Sequence, residues 1–311
     1  MKVDHDVVVI GAGAAGLTAA QYAARSNLRT LVIEELASGG QALIIDRLEN
    51  YPGFPDPISG MELSQRMETQ ARNFGAEFDF ATVTKISKGP ACFTVDTSSG
   101  NLTSSAVILA TGAHHRTLDV PGEKEFQGRG VSYCATCDGP LFKGKRMLVV
   151  GGGDAACDEA NYLSKLSDKI IHIHRRDRFR AQKSLAARVM QNKHIDVRFN
   201  TECQAVLGNG RVTGVTLIDN HTHRVYEEAV EAVFVFIGST PRTAFLEGVT
   251  VDESGYVVTD HLMETNLKGL FAVGDVRATP FRQLVVAAGE GAIAAHTAAL
   301  YIDELKGEAY R

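Results

Sequence analysis

The stretch DVVVIGAGAAG at residues 6–16 decides the fold. Residues 6–10 lack the polar alternation of a half-exposed strand, which predicts a buried strand in a parallel sheet. Gly11, Gly13 and Gly16 then match the pattern G-x-G-x-x-G. In that pattern the glycines allow a tight turn, the close approach of a pyrophosphate to the backbone, and close packing of a helix on the strand.

The residues that follow complete a strand–helix–strand unit. The Ala-rich residues 17–26 predict a helix, and residues 29–34 predict a second parallel strand. Glu34 ends that strand, where a carboxylate can accept hydrogen bonds from an adenosine ribose. The unit therefore predicts a nucleotide site. The other interpretation is a glycine turn that only packs a helix on a sheet.

The same pattern returns in the middle of the chain, in RMLVVGGGDAA at residues 146–156. Gly151 and Gly153 repeat the first two glycines, and Ala156 replaces the third, which the pattern permits. We expect a strand, a glycine turn, a helix over 157–167 and a second strand over 169–174. The sequence thus predicts an α/β protein with two dinucleotide-binding folds.

A basic cluster, HRRDRFR at residues 174–180, follows the second unit. An NAD site usually has an acidic residue here for the 2′-hydroxyl, whereas guanidinium groups suit a 2′-phosphate. We therefore predict NADPH rather than NADH, bound by Arg175, Arg176 and Arg180, with His174 as a further contact. The alternative is a solvated basic loop.

Asp154 and Ala155 begin the segment after the second glycine turn and are included in the predicted NADPH site. A carboxylate beside a pyrophosphate is electrostatically unfavourable, so we expect Asp154 to cap the following helix.

The motif CATCD at residues 134–138 lies between the two units. Two intervening residues bring Cys134 and Cys137 close enough to form a disulfide, and the local backbone can lower the pKa of one thiol. Asp138 can act as an acid or base when a thiolate forms or is quenched. The alternative of structural zinc lacks a second C-x-x-C pair to complete four ligands.

The other cysteines and the histidines have no such spacing. Cys92, Cys157 and Cys203 are predicted to be buried and inert, with Cys92 and Cys203 in strands and Cys157 in a helix. We interpret His114, His115 and His172 as structural or surface residues.

Composition limits the other possibilities. The chain has 311 residues, of which 44% are hydrophobic, and a net charge of −5. The length predicts two domains, and the charge indicates neither nucleic acid nor an anionic membrane as a partner. No uninterrupted apolar run of 18 residues predicts a membrane span, and no secretory signal is visible. Five sparse cysteines fit a reducing cytoplasm.

Together, these motifs resemble those of the low-molecular-weight thioredoxin reductases, flavoproteins of the class-II pyridine nucleotide-disulfide oxidoreductase family. The resemblance extends along the whole chain and is most specific in CATCD and HRRD. Further matching segments are GGQ at 39–41, ENYPGF at 49–54, ATGA at 110–113, GRGVS at 128–132, GGG at 151–153, GDV at 274–276 and RQ at 282–283. Small departures are the Ala residues of the first loop and Ala155.

The resemblance implies two Rossmann-like domains of the three-layer ββα type, the second inserted into the first. The FAD-binding domain would comprise 1–116 and 246–311, and the NADPH-binding domain 117–245. Residues implied to bind FAD are Gly11, Gly13, Gly16, Glu34, Gln41, Asn50, Ala110, Thr111, Gly112, Gly274, Asp275, Arg282 and Gln283.

The resemblance also implies a catalytic order and a partner. Electrons would pass from NADPH through FAD to the cysteine pair and on to oxidised thioredoxin, in a homodimer. Cys134 would attack the thioredoxin disulfide, Cys137 would lie nearer the flavin, and Asp138 would handle protons.

Three alternatives remain at this point. The enzyme could serve a peroxiredoxin partner or a glutaredoxin-like carrier, although relatives that serve peroxide reductases usually have additional N-terminal domains. It could be fed by ferredoxin, against which the arginine cluster argues. It could be a flavin-binding module without catalysis, against which CATCD argues.

Overall fold

The computed structural model describes residues 3–45, 48 and 50–308. Glu49 of the ENYPGF segment lies outside the described residues. The chain forms two compact units. One comprises Met1–His114 with Thr240–Arg311, and the other, His115–Ser239, is inserted between these two segments.

Each segment that the sequence assigns to the first unit is a strand or helix in the structure. The strands of this part of the chain are β1 (His5–Ile10), β2 (Thr30–Glu34), β3 (Glu77–Phe80), β4 (Val83–Lys88), β5 (Phe93–Thr97), β6 (Gly100–Leu109) and β7 (Ala113–His115). The helices are α1 (Ala14–Arg25) and α2 (Gly60–Asn73).

The sheet of the first unit has the order β3-β2-β1-β6-β5-β4, and a later strand, Leu270–Ala272, pairs with β6. β1 pairs with β2 and β6 in parallel, whereas β5 pairs with β4 and β6 in antiparallel fashion. One face of the parallel strands packs on α1 and a C-terminal helix, Leu284–Lys306, and the other carries β4 and β5. These are the three layers that the resemblance implies.

The second unit has its own parallel sheet. The strands of the whole unit are β8 (Val131–Ser132), β9 (Met147–Gly151), β10 (Ile170–Ile173), β11 (Ile195–Arg198), β12 (Thr201–Gly208), β13 (Val212–Asp219), β14 (Val225–Glu228) and β15 (Ala232–Phe236). Its helices are α3 (Ala135–Asp138), α4 (Asp154–Leu163) and α5 (Lys183–Gln191). Three further elements of the described residues are β16 (Ser239–Pro241), β17 (Leu270–Ala272) and α6 (Leu284–Lys306).

The layers of the second unit repeat those of the first. The parallel order β11-β10-β9-β15-β8 is covered on one face by α4 and α5 and on the other by the antiparallel strands β12, β13 and β14. The predicted fold, two Rossmann-like domains with the second inserted into the first, is therefore confirmed.

Both glycine-loop helices begin earlier than predicted. α1 begins at Ala14 rather than at residue 17, and α4 spans Asp154–Leu163 rather than 157–167. The third position of the glycine pattern belongs to the first helical turn, because close packing on the strand requires a small residue there. A Cβ on Gly16 would meet the Gly11 carbonyl oxygen at 1.9 Å.

By length and composition alone α6 could cross a membrane. It packs against α1, and its buried residues include Ala294, Ala295 and Ala298 at the centre of the helix. Those contacts are typical of a core helix in a globular protein.

Candidate functional site

The first glycine loop leaves open space at the N-terminus of α1. A Cβ on Gly13 would meet no atom within 4 Å, whereas one on Gly11 would meet the Ala110 carbonyl oxygen at 2.4 Å. Gly13 is the N-cap, and among the described residues no side chain caps this end. The first backbone N–H groups of α1 and the helix dipole therefore face a space that suits a phosphate.

Glu34 lies at the end of β2 beside this loop. One carboxylate oxygen accepts a hydrogen bond from the Ala12 N–H at 2.8 Å, and the other accepts one from the Glu35 N–H at 3.0 Å. These contacts fix the carboxylate next to the glycine turn, which is the position that a ribose-binding acid requires.

The other residues implied to bind FAD make specific contacts in the first unit. Gln41 donates to the Ala113 carbonyl at 2.5 Å, and Asn50 donates to the Gln283 side chain at 3.1 Å. Thr111 donates to the Arg242 carbonyl at 2.9 Å.

Gly112 and Arg282 complete this set. Gly112 has φ +68°, a conformation that favours glycine, and its carbonyl accepts from the Arg242 N–H at 3.0 Å. The Arg282 guanidinium lies 4.3 Å from the centre of the Tyr256 ring. The assignment of these residues to FAD remains a prediction.

A buried ionic cluster that the sequence did not predict holds the Gly274 turn. Glu290 of α6 is 6% exposed and accepts from the Gly274 N–H at 2.7 Å, from Thr279 at 3.0 Å and from the Arg277 guanidinium. Asp275 follows in the turn. Burial raises the pKa of its carboxyl, Arg282 opposes this, and Glu290 adds to it.

The second glycine loop repeats the open space of the first. A Cβ on Gly153 would meet no atom within 4 Å, and this residue is the N-cap of α4 with no side-chain cap among the described residues. The Gly152 carbonyl accepts from the Arg180 N–H at 2.7 Å, which brings the basic segment onto the glycine loop.

The predicted capping role of Asp154 is wrong. Asp154 is the first helical residue, and its carboxylate accepts from the backbone N–H and side chain of Gln182 at 2.7 and 3.1 Å. Gly153 occupies the cap position instead. The Asp154 carboxylate therefore ties the segment after the basic cluster to α4, and Ala155 is exposed beside it.

His172 of β10 and His174, which directly follows the strand, are buried. The surface interpretation of His172 is therefore wrong, and the structural one is confirmed. His172 contacts the Gly151 carbonyl through Nε2 at 3.1 Å, and burial lowers its pKa to about 4. The His174 ring lies against Gly152, where a Cβ would meet it at 2.3 Å. The His174 Nε2 atom is buried without a hydrogen-bond partner in the described part of the chain.

The guanidinium-bearing residues of the cluster point into solvent. Arg175, Arg176 and Arg180 are exposed. Burial lowers the pKa of His174, and the charges of Arg180, Arg176 and Arg175 lower it further. A concentration of positive charge beside an open glycine loop suits a nucleotide with an additional phosphate.

The cysteine pair forms a disulfide at the start of α3. Cys134 and Cys137 are bonded, and their Cα atoms are 5.3 Å apart. The Cys134 sulfur is also the N-cap of α3. It accepts from the Cys137 N–H at 3.2 Å and lies 3.4 Å from the Thr136 hydroxyl. When the bond is reduced, these donors favour a thiolate on Cys134.

Asp138 ends α3 and is half-buried. Burial raises the pKa of its carboxyl, and a hydrogen bond from the Ser132 hydroxyl opposes that rise. A carboxyl group with a raised pKa next to a dithiol is suited to giving up and accepting a proton. Ser132 was not predicted as a site residue.

Glu123, a second carboxylate that the sequence did not predict, holds Tyr133, the residue directly before the cysteine pair. Glu123 is 1% exposed and accepts from the N–H groups of Leu118 and Asp119 and from the Tyr133 hydroxyl, at 2.8–2.9 Å. The Tyr133 ring stacks on His115 at 5.2 Å between ring centres. Tyr133 is thereby fixed on two sides.

The remaining cysteines differ in burial. Cys157 in α4 and Cys203 in β12 are buried as predicted, and burial raises their thiol pKa values to about 11 and about 12. The prediction for Cys92 is wrong. It precedes β5 in a bend and is half-exposed, because the strand begins only at Phe93.

Comparisons with known proteins agree with this geometry. Residues 5–291 match the family model described as pyridine nucleotide-disulphide oxidoreductase. A thioredoxin reductase from Treponema pallidum is 55% identical, over 98% of this chain and 100% of that protein. One from Listeria monocytogenes is 44% identical, over 97% of this chain and 95% of that protein.

Solved structures show the same similarity. Thioredoxin reductase from Streptococcus pyogenes has a TM-score of 0.93 at 41% identity, over 96% of this chain and 98% of that one. The enzyme from Giardia duodenalis has a TM-score of 0.91 at 36% identity, over the same shares. The chain thus belongs to the pyridine nucleotide-disulphide oxidoreductase family, and within it to the low-molecular-weight thioredoxin reductases.

Proposed function

We propose that this enzyme transfers two electrons from NADPH to the disulfide of oxidised thioredoxin through the Cys134–Cys137 pair. The observation that carries the proposal is the disulfide itself, with Asp138 beside it and an open glycine loop in the same unit. The net reaction consumes NADPH, a proton and a disulfide, and yields NADP⁺ and a dithiol.

The cofactors of the family, FAD and NADPH, fit the open spaces at Gly13 and Gly153. We propose the unit Met1–His114 with Thr240–Arg311, expected from the sequence at 1–116 and 246–311, as the FAD-binding domain. We propose the unit His115–Ser239, expected at 117–245, as the NADPH-binding domain. FAD, when bound, supplies the two-electron chemistry that links a nicotinamide to a disulfide. The residues proposed to hold it include Glu34, Asp275 and the N-terminus of α1.

The cysteines have separate roles in this proposal. The Cys134 thiolate attacks a sulfur of the thioredoxin disulfide, which forms a mixed disulfide and releases one thioredoxin thiolate. Cys137 then attacks the Cys134 sulfur, which restores the intramolecular disulfide and releases the second thiolate. Asp138 supplies protons to the departing thiolates. The hydrogen bond from the Cys137 N–H supports Cys134 as the attacking sulfur.

The proposal extends to assembly and location. The family resemblance supports a homodimer, with thioredoxin as the protein substrate. The odd, sparse cysteines support the cytoplasm. Sedimentation of the purified protein tests the dimer: a single species at the mass of one chain would contradict it.

The test of the function is anaerobic absorbance of the purified protein. We expect NADPH at low concentration to bleach the flavin, and oxidised thioredoxin to restore the colour. If NADPH bleaches the flavin but thioredoxin does not restore its colour, NADPH stands as the donor and thioredoxin is excluded as the acceptor. An absence of bleaching by NADPH would exclude NADPH as donor and favour ferredoxin.

Gly13→Ala is expected to weaken FAD binding at least tenfold without unfolding the apoprotein. The new Cβ meets no atom of the described residues within 4 Å and the backbone has φ −73°, so the apoprotein should tolerate alanine. The methyl group fills the space through which a pyrophosphate approaches the backbone. Equilibrium titration of the apoprotein with FAD measures the change.

Gly153→Ala is the matched control, because a Cβ on this glycine of the other unit also meets no atom of the described residues within 4 Å. It should leave FAD affinity unchanged and weaken NADPH binding. Equal effects of the two variants on both cofactors would contradict the assignment of one nucleotide to each loop.

Replacing Arg175 and Arg176 with alanine is expected to raise the KM for NADPH by about 10- to 100-fold, from the loss of charge-assisted bonds to a phosphate. The KM for NADH should change little, because NADH has no 2′-phosphate. Steady-state kinetics with both donors measures the ratio. Arg178→Ala, an exposed arginine in the same cluster, is the control. An unchanged preference for NADPH in the double variant would contradict the phosphate assignment.

A further inference from the structure

The basic cluster contains one aromatic side chain among its charged ones. Residues 175–178 and Arg180 are exposed, whereas Phe179 between them is half-buried. The Phe179 side chain packs against the hydrophobic core that lies between the parallel sheet of this unit and the helices α4 and α5. Phe179 is therefore the one residue from 175 to 180 whose side chain turns away from solvent and into the fold.

The Phe179 ring has aromatic neighbours at the ends of two adjacent strands. Its centre lies 4.7 Å from that of His172 in β10 and 6.1 Å from that of His174. Phe199, which directly follows β11, meets the ring edge to face at 4.9 Å between centres. Because both histidines are buried, they form a fixed wall for the ring. Aromatic pairs in such geometries add to the stabilisation that burial provides.

The backbone of the basic cluster is hydrogen-bonded on both sides of this ring. The Arg176 carbonyl accepts from the Asn200 N–H at 3.0 Å, and the Arg180 N–H donates to the Gly152 carbonyl at 2.7 Å. In the described part of the chain, no backbone hydrogen bond links residues 177–179 to another segment. The aromatic contacts of Phe179 are thus the anchor for the middle of the cluster.

This anchor lies between the arginines that are proposed to share one phosphate. Arg175 and Arg176 precede Phe179, and Arg180 follows it. A long side chain loses rotamer freedom when it binds, and the loss is greater if the backbone that carries it must also be ordered. A fixed backbone therefore favours binding of the 2′-phosphate, whereas NADH has no group at this position.

We infer that Phe179 is a positioning residue for donor specificity: its ring fixes the backbone from which the three arginines reach the 2′-phosphate of NADPH. This inference rests on the proposed function, in which NADPH binds at the second glycine loop. The ring acts through the arginines and touches no nucleotide itself. Its loss should therefore weaken recognition of the 2′-phosphate and spare the rest of the dinucleotide.

The first test uses the FAD-loaded enzyme without a pyridine nucleotide. Trypsin cleaves after arginine, and cleavage within a folded protein requires the segment to open locally. We expect Phe179→Leu to raise the rate of cleavage within residues 175–180 about tenfold, because the middle of the cluster loses its anchor. Mass spectrometry of the fragments measures the rate. An unchanged rate in this variant would overturn the inference.

The second test compares two ligands that differ only in the 2′-phosphate. NADP⁺ and NAD⁺ are titrated separately into the oxidised holoenzyme, and the dissociation constants are measured without turnover. We expect Phe179→Leu to weaken NADP⁺ binding about tenfold and NAD⁺ binding by less than about twofold. An equal loss for both ligands is the result that a purely structural residue would give, and it would overturn the inference.

Phe199→Leu tests the same contact from its other side, and this test stands even if Phe179→Leu does not fold. The variant keeps the Phe179 ring and removes the neighbour that meets it edge to face. We expect a smaller loss in the same direction, about threefold for NADP⁺ with little change for NAD⁺. Unchanged binding of NADP⁺ in Phe199→Leu would contradict the aromatic contacts as the anchor.

Phe142→Leu is the matched control. Phe142 is also half-buried, packs against the same hydrophobic core and has an edge-to-face neighbour, Phe234, at 6.1 Å between ring centres. It lies outside the basic cluster, so its replacement should leave the ratio of the NADP⁺ and NAD⁺ dissociation constants unchanged. If the unmodified enzyme binds the two ligands equally, the proposed donor fails. If the unmodified enzyme prefers NADP⁺ and Phe179→Leu prefers it equally, the inference alone fails.

Discussion

Cys137→Ser is expected to lower the turnover of oxidised thioredoxin by at least about 1000-fold, while the variant still binds FAD and is bleached by NADPH. The remaining Cys134 thiolate can open the thioredoxin disulfide, but without a second sulfur the mixed disulfide has no intramolecular route to resolution. The measurement is NADPH oxidation in the presence of thioredoxin, with the covalent adduct detected by mass spectrometry.

The two cysteines should differ in this experiment. Cys137→Ser leaves the Cys134 sulfur, which accepts a hydrogen bond from the backbone N–H of residue 137, and should form the adduct. Cys134→Ser removes that sulfur and should not form it. Cys92→Ser, a change of sulfur to oxygen at a half-exposed position, should leave turnover unchanged. Retained turnover in Cys137→Ser would contradict the dithiol mechanism.

Glu290→Ala is expected to lower the free energy of unfolding by about 3–5 kcal/mol, since removing one partner of a buried ion pair leaves the other charge uncompensated. Arg277, which is 9% exposed, would lose its carboxylate partner, and the Gly274 N–H and the Thr279 hydroxyl would lose their acceptor. Denaturant unfolding of the apoprotein measures the change without a contribution from bound cofactor.

Glu304→Ala is the control for this prediction, because Glu304 is an exposed carboxylate on the same helix. It should change stability by less than about 0.5 kcal/mol. If the two variants unfold at the same denaturant concentration, the buried cluster does not stabilise the fold as its contacts indicate. FAD affinity should also fall in Glu290→Ala alone, because Glu290 holds the turn that carries Asp275.

The sequence predicts those parts of the site that depend on short segments. A glycine loop is recognisable because turn, close approach and helix packing each require a small residue at a fixed spacing. The cysteine pair is recognisable for the same reason, since two intervening residues suffice to bring Cys134 and Cys137 into bonding distance. The order of strands and helices follows from the same local patterns.

The unpredicted residues depend on contacts between distant segments. Glu123 and Ser132 have ordinary sequence surroundings, and only the fold brings Glu123 to Tyr133 and Ser132 to Asp138. Glu290 did leave a signal. It is the one Asp, Glu, Lys or Arg between Gln283 and Ile302, and a lone charge in an apolar helix must find a partner or remain exposed.

Where predicted boundaries were wrong, tertiary packing explains the difference. α1 and α4 begin inside their glycine motifs, because the motif includes the first turn of the helix. Asp154 is drawn to Gln182, a contact that no local pattern indicates. Cys92 lies one residue before β5 and so escapes the burial of that strand.

Because Cys157 and Cys203 are buried, thiol labelling can measure the redox state of the Cys134–Cys137 pair. Thiols whose pKa values are raised to about 11 and about 12 stay protonated at neutral pH and react slowly with alkylating reagents. In a Cys92→Ser background, the two sulfurs of the redox pair would be the accessible nucleophiles of the described chain. The mass added by an alkylating reagent would then report directly whether the Cys134–Cys137 pair of each molecule had received its two electrons.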